Sequence, residues 1–228
     1  MVAGELKINE IFFSIQGEST WAGMACIFVR LSGCPLRCKY CDTSYAFNEG
    51  SVLSLDQVIE AVASHDATLV EITGGEPLIQ PSVHPLMEQL CDRGYTVLLE
   101  TSGERDIEVC DRRVIKIVDI KTPCSGAADS FLESNFKALL PHDELKFVIT
   151  NKEDFDWAVE VVTDNALHEK VKAIHLSPVM RQERNTHIDG CEQLDPETLA
   201  GWILESSLPF RLQFQLHKFI WSPTLRGV

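Results

Sequence analysis

The chain is short of positive charge and of long apolar runs. Its 228 residues carry 20 Lys plus Arg against 34 Asp plus Glu, a formal charge of −14. That leaves no broad cationic footprint for nucleic acid or an anionic membrane, and neither is expected as a partner. No apolar run approaches the roughly 20 residues of a membrane span. The opening MVAGELKINE lacks the basic and apolar regions of a signal peptide, so the expectation is a soluble, cytoplasmic protein. Eight cysteines are too few for a disulfide scaffold at this length. No repeat, low-complexity tract or Pro/Gly/Ser linker divides the sequence, and with 45% hydrophobic residues it suits one domain over 1–228. A small-molecule substrate is the better expectation. If that substrate is an anion, local cations must act against the protein's own field, which gives weight to any Arg or Lys near the chemistry.

Six short runs rich in β-branched and aromatic residues read as strands: CIFVRL (26–31), LVEIT (69–73), YTVLLE (95–100), VIKIVDI (114–120), LKFVIT (145–150) and VKAIHL (171–176). Most are near-continuously apolar, as parallel strands covered on both faces are. Helical patterns lie between several of them. One opens at Ser54 as an N-cap, one ends at Gly94 as a C-cap, and one places Phe155, Ala158, Val159, Val162 and Ala166 on a single face. The βαβα order predicts a mostly parallel α/β sheet, open or closed into a complete or partial barrel, with active residues at the carboxyl ends of strands. Residues 177–194 show no period and read as loop.

Within LSGCPLRCKYCDT, Cys34, Cys38 and Cys41 follow the end of a strand in the spacing C-x3-C-x2-C. Gly33 and Pro35 make the segment a loop able to wrap around a metal. A structural zinc site wants four ligands, and a fourth from elsewhere could complete one. A four-iron cluster held by three thiolates instead keeps one iron free to bind something else. The other cysteines, Cys26, Cys91, Cys110, Cys124 and Cys191, are scattered and read as packed or idle. After the next strand comes TGGEP, whose Gly74 and Gly75 let backbone approach a ligand closely. Polar residues at later strand ends, Glu100, Ser102, Asp119 and Lys121, are candidates for cofactor hydroxyls and carboxylate, or else ordinary loop polarity.

The cysteine loop followed by GGEP resembles the radical S-adenosylmethionine superfamily. The resemblance implies a partial (β/α) barrel, a [4Fe-4S] cluster on Cys34, Cys38 and Cys41, and S-adenosyl-L-methionine chelated by the free iron and cleaved to a 5′-deoxyadenosyl radical. An external electron donor such as flavodoxin or ferredoxin goes with it. The segment EIFFSIQGESTWAGMACIFVRLSGC, with Gln16, Gly17, Glu18, Gly23, Arg30 and Gly33, followed by CDT, ITGGEP and a late QLHK, is similar to the 7-carboxy-7-deazaguanine synthase family over most of the chain. A glycyl-radical activating enzyme shares the cysteine loop and GGEP but not SIQGES or QLHK.

This second resemblance implies ring contraction of a pterin substrate, 6-carboxy-5,6,7,8-tetrahydropterin, with loss of ammonia, in queuosine and deazapurine biosynthesis. It also implies assistance by Mg2+ and a homodimer. By motif, substrate contacts fall on Ile15, Gln16, Gly17, Arg30, Thr73 and His217, and cofactor contacts on Tyr40, Cys41, Asp42 and Gly75. Mg2+ falls on Thr43, whose alternative is a turn residue bonded to its own backbone. VDIKTP, with Asp119, Ile120 and Lys121, and HLSPV, with Leu176, Ser177, Pro178 and Val179, stand where further cofactor contacts are expected.

Residue chemistry bears on some of these roles. A guanidinium at Arg30 suits a carboxylate's two oxygens, the alternative being a structural salt bridge. Gln16 offers one donor and one acceptor to a pterin edge, or else is a turn residue. FRLQFQLHKF (210–219) alternates, so Gln213, Gln215 and His217 share a face: either an edge strand showing water its polar side or a strand lining the cavity. QGES replaces the family's commoner QGEG, a change expected to be tolerated in a loop.

Overall fold

The structure, a computed structural model, describes residues 4–222 and 225–228. Strands β1 (Glu5–Ile15), β2 (Ala25–Leu31), β3 (Ser51–Ser54), β4 (Leu69–Gly74), β5 (Thr96–Thr101), β6 (Ile115–Asp119), β7 (Glu144–Ile149), β8 (Ala173–Pro178) and β9 (Phe210–Leu212) form one sheet in the order β3-β1-β2-β4-β5-β6-β7-β8-β9. Helices α1 (Leu55–Ala63), α2 (Val83–Asp92), α3 (Asn135–Ala138), α4 (Lys152–Asp164), α5 (Pro196–Glu205) and α6 (His217–Ile220) complete the chain. From β2 to β9 every pairing is parallel, whereas β1 runs antiparallel to both β2 and β3. All six expected strands are present.

Two faces with different chemistry emerge from strands that look uniformly apolar in sequence. Val29, Ile72, Leu99, Val118, Phe147 and Leu176 face the helices and join the main core with Val58, Leu86, Ala158 and Leu199. The opposite face carries an apolar layer where Cys26, Phe28, Leu69, Leu98 and Ile117 pack together. One step further along the same strands stand Arg30, Glu71, Glu100 and Asp119, with Lys146 beside them on β7. Residues of β2, β4, β5, β6, β7 and β8 line a single cavity with these polar side chains, which requires the sheet to curl into a partial barrel. The apolar layer is its floor.

Local signals fix the helices. Ser54 caps α1 with a full capping box, Gln57 N–H donating to Ser54 Oγ at 3.2 Å and Gln57 Oε1 accepting from Ser54 N–H at 2.9 Å. Asn151 caps α4, whose Phe155, Ala158 and Val162 are buried. Some expectations need correction. Gly94 lies one residue beyond the α2 C-cap, which is Arg93, in the left-handed conformation (φ +86°) that commonly follows a helix end. Ala166 lies past α4 at φ +49° and is not on its face. No helix joins β5 to β6. The run 210–219 is a strand only to Leu212, after which the chain turns and forms α6. Strand β1 is absent from the sequence reading because its register shifts between Ile8 and Glu10, breaking the alternation.

Candidate active site

The loop after β2 is pinned on three sides. Gly33 N–H donates to Ala46 O (2.8 Å), Glu76 N–H to Gly33 O (2.9 Å), Lys39 N–H to Ser125 O (3.0 Å) and Gly190 N–H to Lys39 O (3.0 Å). Arg37 closes the loop on itself, bonding Cys34 O and Leu36 O at 2.8 and 2.7 Å. Gly75 is required here for packing as well as for access: a Cβ would overlap Gly33 O and sit 2.7 Å from Cys34 Cβ. Glu76, fully buried, accepts from Leu78 N–H, Thr101 Oγ1, Ser102 N–H and Ser102 Oγ at 2.7–3.0 Å. Ser102 is thereby committed to holding the GGEP turn against β5.

Cys34, Cys38 and Cys41 carry free thiols and line one cavity of about 460 Å³. Burial pushes the thiol of Cys34 up to about 11 and that of Cys41 up to about 12, so a metal would have to displace their protons. Among the described residues no group of three or more His, Cys, Asp or Glu side chains is gathered closely enough to hold a single metal ion. Three soft donors around an open cavity suit a larger iron–sulfur group with one corner facing the space beyond.

The cavity wall beside the triplet has the character of a ligand cradle. Tyr40 Oη and Asp119 Oδ1 are buried without a hydrogen-bond partner, an arrangement that an ordered polar ligand would satisfy. Lys121 Nζ holds Asp119 Oδ2 at 2.7 Å. Ser177, Pro178, Val179, Asp42 and Gly75 also line this wall. Ile120 and Leu176 do not: strand alternation turns both side chains into the core under the helices, so only their peptide groups remain for the expected role. Asp42 lies at the rim, where Lys218 (2.7 Å) and Thr43 Oγ1 (2.9 Å) hold its carboxyl well below the usual range against the effect of burial. The Thr43 hydroxyl thus bonds a side chain rather than its own backbone.

Ile15, Gln16, Gly17, Arg30, Thr73 and His217 line the same cavity. Arg30 Nε pairs with Glu10 Oε1 at 2.8 Å. The salt bridge expected as the alternative for Arg30 is formed, and the residue also lines the cavity. Gln16 Nε2 donates to Glu71, and its Oε1 accepts from Glu18 N–H at 3.0 Å. Burial holds the His217 imidazole below its ordinary pKa. Gln215 lines the cavity, but Gln213 does not. His217 reaches it from α6 rather than from the expected strand.

Sequence reasoning singled out Glu100 and Asp119 but missed Lys146 and Glu71, which stand with them at the ionic centre of the site. Lys146 Nζ lies 2.5 Å from Glu18 Oε2, 2.8 Å from Glu100 Oε1 and 3.8 Å from Asp119 Oδ2. Burial disfavours its charge, yet these carboxylates push the ammonium well above its ordinary value. Beside it, burial together with Glu100 and Glu18 pushes the Glu71 carboxyl well above the usual range. The available signal was a Lys in LKFVIT and a Glu in LVEIT, charges within strands otherwise read as wholly buried.

Comparison with known proteins bears on this arrangement. Residues 28–120 match the family model for the Radical SAM superfamily. The chain is 46% identical to a 7-carboxy-7-deazaguanine synthase of Koribacter versatilis, over 98% of this chain and all of that one. It is 42% identical to another of Chlorobaculum tepidum, over 98% of this chain and 97% of the relative. Among solved structures, the crystal structure of QueE from Escherichia coli superposes with a TM-score of 0.71 at 22% identity, covering 92% of this chain and 94% of that one, which supports the fold.

Proposed function

The chain belongs to the 7-carboxy-7-deazaguanine synthase family of radical S-adenosylmethionine enzymes, and from that premise we propose that it contracts 6-carboxy-5,6,7,8-tetrahydropterin to 7-carboxy-7-deazaguanine with loss of ammonia. The observation that carries this reading is that the three thiols and Gln16, Arg30 and Lys146 line one cavity. When bound, a [4Fe-4S] cluster with S-adenosyl-L-methionine supplies one-electron chemistry and hydrogen-atom abstraction. Cys34, Cys38 and Cys41 would hold the cluster. Tyr40, Asp42, Gly75, Asp119, Lys121, Ser177, Pro178 and Val179 would surround the cofactor.

This chain's own residues orient the substrate. Arg30, anchored by Glu10 through Nε, presents its remaining amino groups to the substrate carboxylate, a planar fork on a fixed stem. Gln16, oriented by Glu71 and the Glu18 amide, keeps a second N–H and a second lone pair for the pterin edge. Glu18 and Glu100 accept from ring N–H groups while Lys146 balances their charge. Thr73 donates to Glu100 at 3.3 Å, and His217 lines the same cavity.

Mg2+ at Thr43 belongs to this reading. One protein hydroxyl, with substrate oxygens and waters, meets the preference of magnesium for a hydrated octahedron. Omitting magnesium should lower turnover, and Thr43→Val should lose that response. A flavodoxin- or ferredoxin-like electron donor, a homodimer and a single domain over 1–228 complete the proposal.

The deciding experiment supplies anaerobically reconstituted protein with reductant, S-adenosylmethionine and the pterin, and follows the deazapurine by mass. Product is expected from the native chain and none from Cys38→Ala. Full iron content and cofactor cleavage without product would overturn the substrate assignment.

A further inference from the structure

Strands β1 and β9 lie toward opposite ends of the sheet, so the curl leaves a seam between them. Residues 16–21, which follow β1, cross it. Ser19 N–H donates to Gln213 Oε1 at 2.6 Å, and Leu216 N–H to Gly17 O at 3.1 Å. Packing is close, since a Cβ on Gly17 would lie 2.5 Å from His217 Nδ1. Thr20 reaches furthest, to β7, where its N–H donates to Glu144 Oε2 at 2.9 Å and its hydroxyl to Glu144 Oε1.

Glu144 is fully buried and does not line the cavity. It shares the inward face of β7 with Lys146, one step closer to the barrel floor. Its third donor or partner is His175 Nε2 on β8, at 2.6 Å. A carboxylate with no exposure is tolerated only where its lone pairs are met; besides His175 and Lys172 Nζ, the latter at 3.9 Å, two of the partners of Glu144 belong to the crossing loop. The loop has turn bonds of its own, Gln16 N–H to Met24 O and Gly23 N–H to Gln16 O at 2.8 Å and Trp21 N–H to Ser19 Oγ at 3.2 Å, but Ser19 within it sits at φ +63°, where a residue with a Cβ is strained. Bonds from distant strands must offset that strain.

We infer that Glu144 is a positioning residue, which clamps the 16–21 loop across the barrel seam and so sets Gln16 and Glu18 among the substrate contacts of the cavity. The inference rests on the functional reading above for what those two side chains contact. It separates the substrate contacts from the cluster ligands: the three thiols and Tyr40 lie on the loop after β2, which is pinned by other elements, while Asp119 meets the clamped loop only through Lys146.

The test compares Glu144→Gln with the native protein. The amide keeps the size of the side chain but places a donor against Thr20 or His175. Hydrogen exchange on the chain alone, without cluster or substrate, should rise about tenfold or more at the amides of Ser19 and Thr20 while the core strands stay protected. In the reconstituted enzyme the substrate KM should rise on the order of tenfold or more, as loss of a supporting contact typically causes. Cofactor cleavage without substrate should be unchanged. Unaltered exchange in 16–21 would overturn the inference, as would an equal loss of substrate affinity and cofactor cleavage. If Glu144→Gln does not fold, Thr20→Val against Thr20→Ser decides: the Val variant must raise KM and the Ser variant, which keeps the hydroxyl, must do so far less. Should the native chain make no deazapurine, the functional reading fails, while the exchange measurement still decides the clamp.

Discussion

At Arg30 two demands meet on one guanidinium. Its Nε is bound to Glu10 and its terminal amino groups face the cavity, so a lysine, with a single point of charge, can serve one partner but not both. Arg30→Lys is expected to raise the substrate KM by about 10- to 100-fold, equivalent to ~1.4–3 kcal/mol, with iron content unchanged. Steady-state kinetics beside an iron assay check this. An unchanged KM with lowered stability would reduce Arg30 to its salt bridge. Ser19 is the other residue whose backbone matters. It occupies the left-handed region where the family motif carries glycine, so the substitution tolerated in QGES is strained rather than free. A β-branched residue there adds cost. Ser19→Val should destabilise by about 1–3 kcal/mol, lowering Tm by roughly 2–10 °C, whereas Ser19→Gly should leave Tm within about 2 °C because relief of strain and added chain entropy nearly cancel.

Between elements, the decisive contact is the one joining the cysteine loop to the GGEP turn. The turn reaches the cysteine loop through Glu76 N–H to Gly33 O, and it is fastened to β5 by the Glu76 carboxyl. Gly75 lies where the two loops touch, with no room for a methyl group. Gly75→Ala is therefore expected to displace the cysteine loop and cut iron incorporation well below the native level. Circular dichroism should still report a folded α/β chain, since α1, α2 and their strands do not pass through this contact. Normal iron loading would mean that the loops part without disturbing the thiols.

Over the whole molecule, charge is deployed unevenly. A chain of formal charge −14 collects Arg30, Lys121, Lys146 and Lys218 around one cavity, each already paired with a carboxylate. The local cations expected for an anionic substrate are present, but they act within networks. A further pair holds β6 to the segment before β7, far from the chemistry. Lys116 Nζ lies 3.0 Å from Asp143 Oδ2 with side-chain exposures of 2% and 0%. Removing one partner leaves a buried charge, so Lys116→Met should cost about 3–5 kcal/mol in urea unfolding. The folded fraction should keep its substrate KM. A loss under 1 kcal/mol would show that the backbone N–H groups of Lys116 and Leu140, at 2.9 and 2.8 Å, suffice for Asp143.

Whatever depends on neighbours along the chain was legible in the sequence. The C-x3-C-x2-C loop, the GGEP turn, the Ser54 capping box and six of the nine strands are set by spacing and propensity within a dozen residues, where chain connectivity already brings the groups together. Family resemblance added Gln16, Arg30 and Thr73, which the fold gathers into one cavity. Tertiary structure decided what connectivity does not constrain. The register of the parallel strands sent Ile120 and Leu176 into the core and Lys146 into the site, because a one-residue step reverses a side chain's face. The curl of the sheet brought Thr20 and Ser19 to partners 124 and 194 positions away. The roles of Lys146, Glu71 and Glu144 could not be read from their neighbours in sequence because their partners come from other strands and from the 16–21 loop, and meet them only once the barrel has closed.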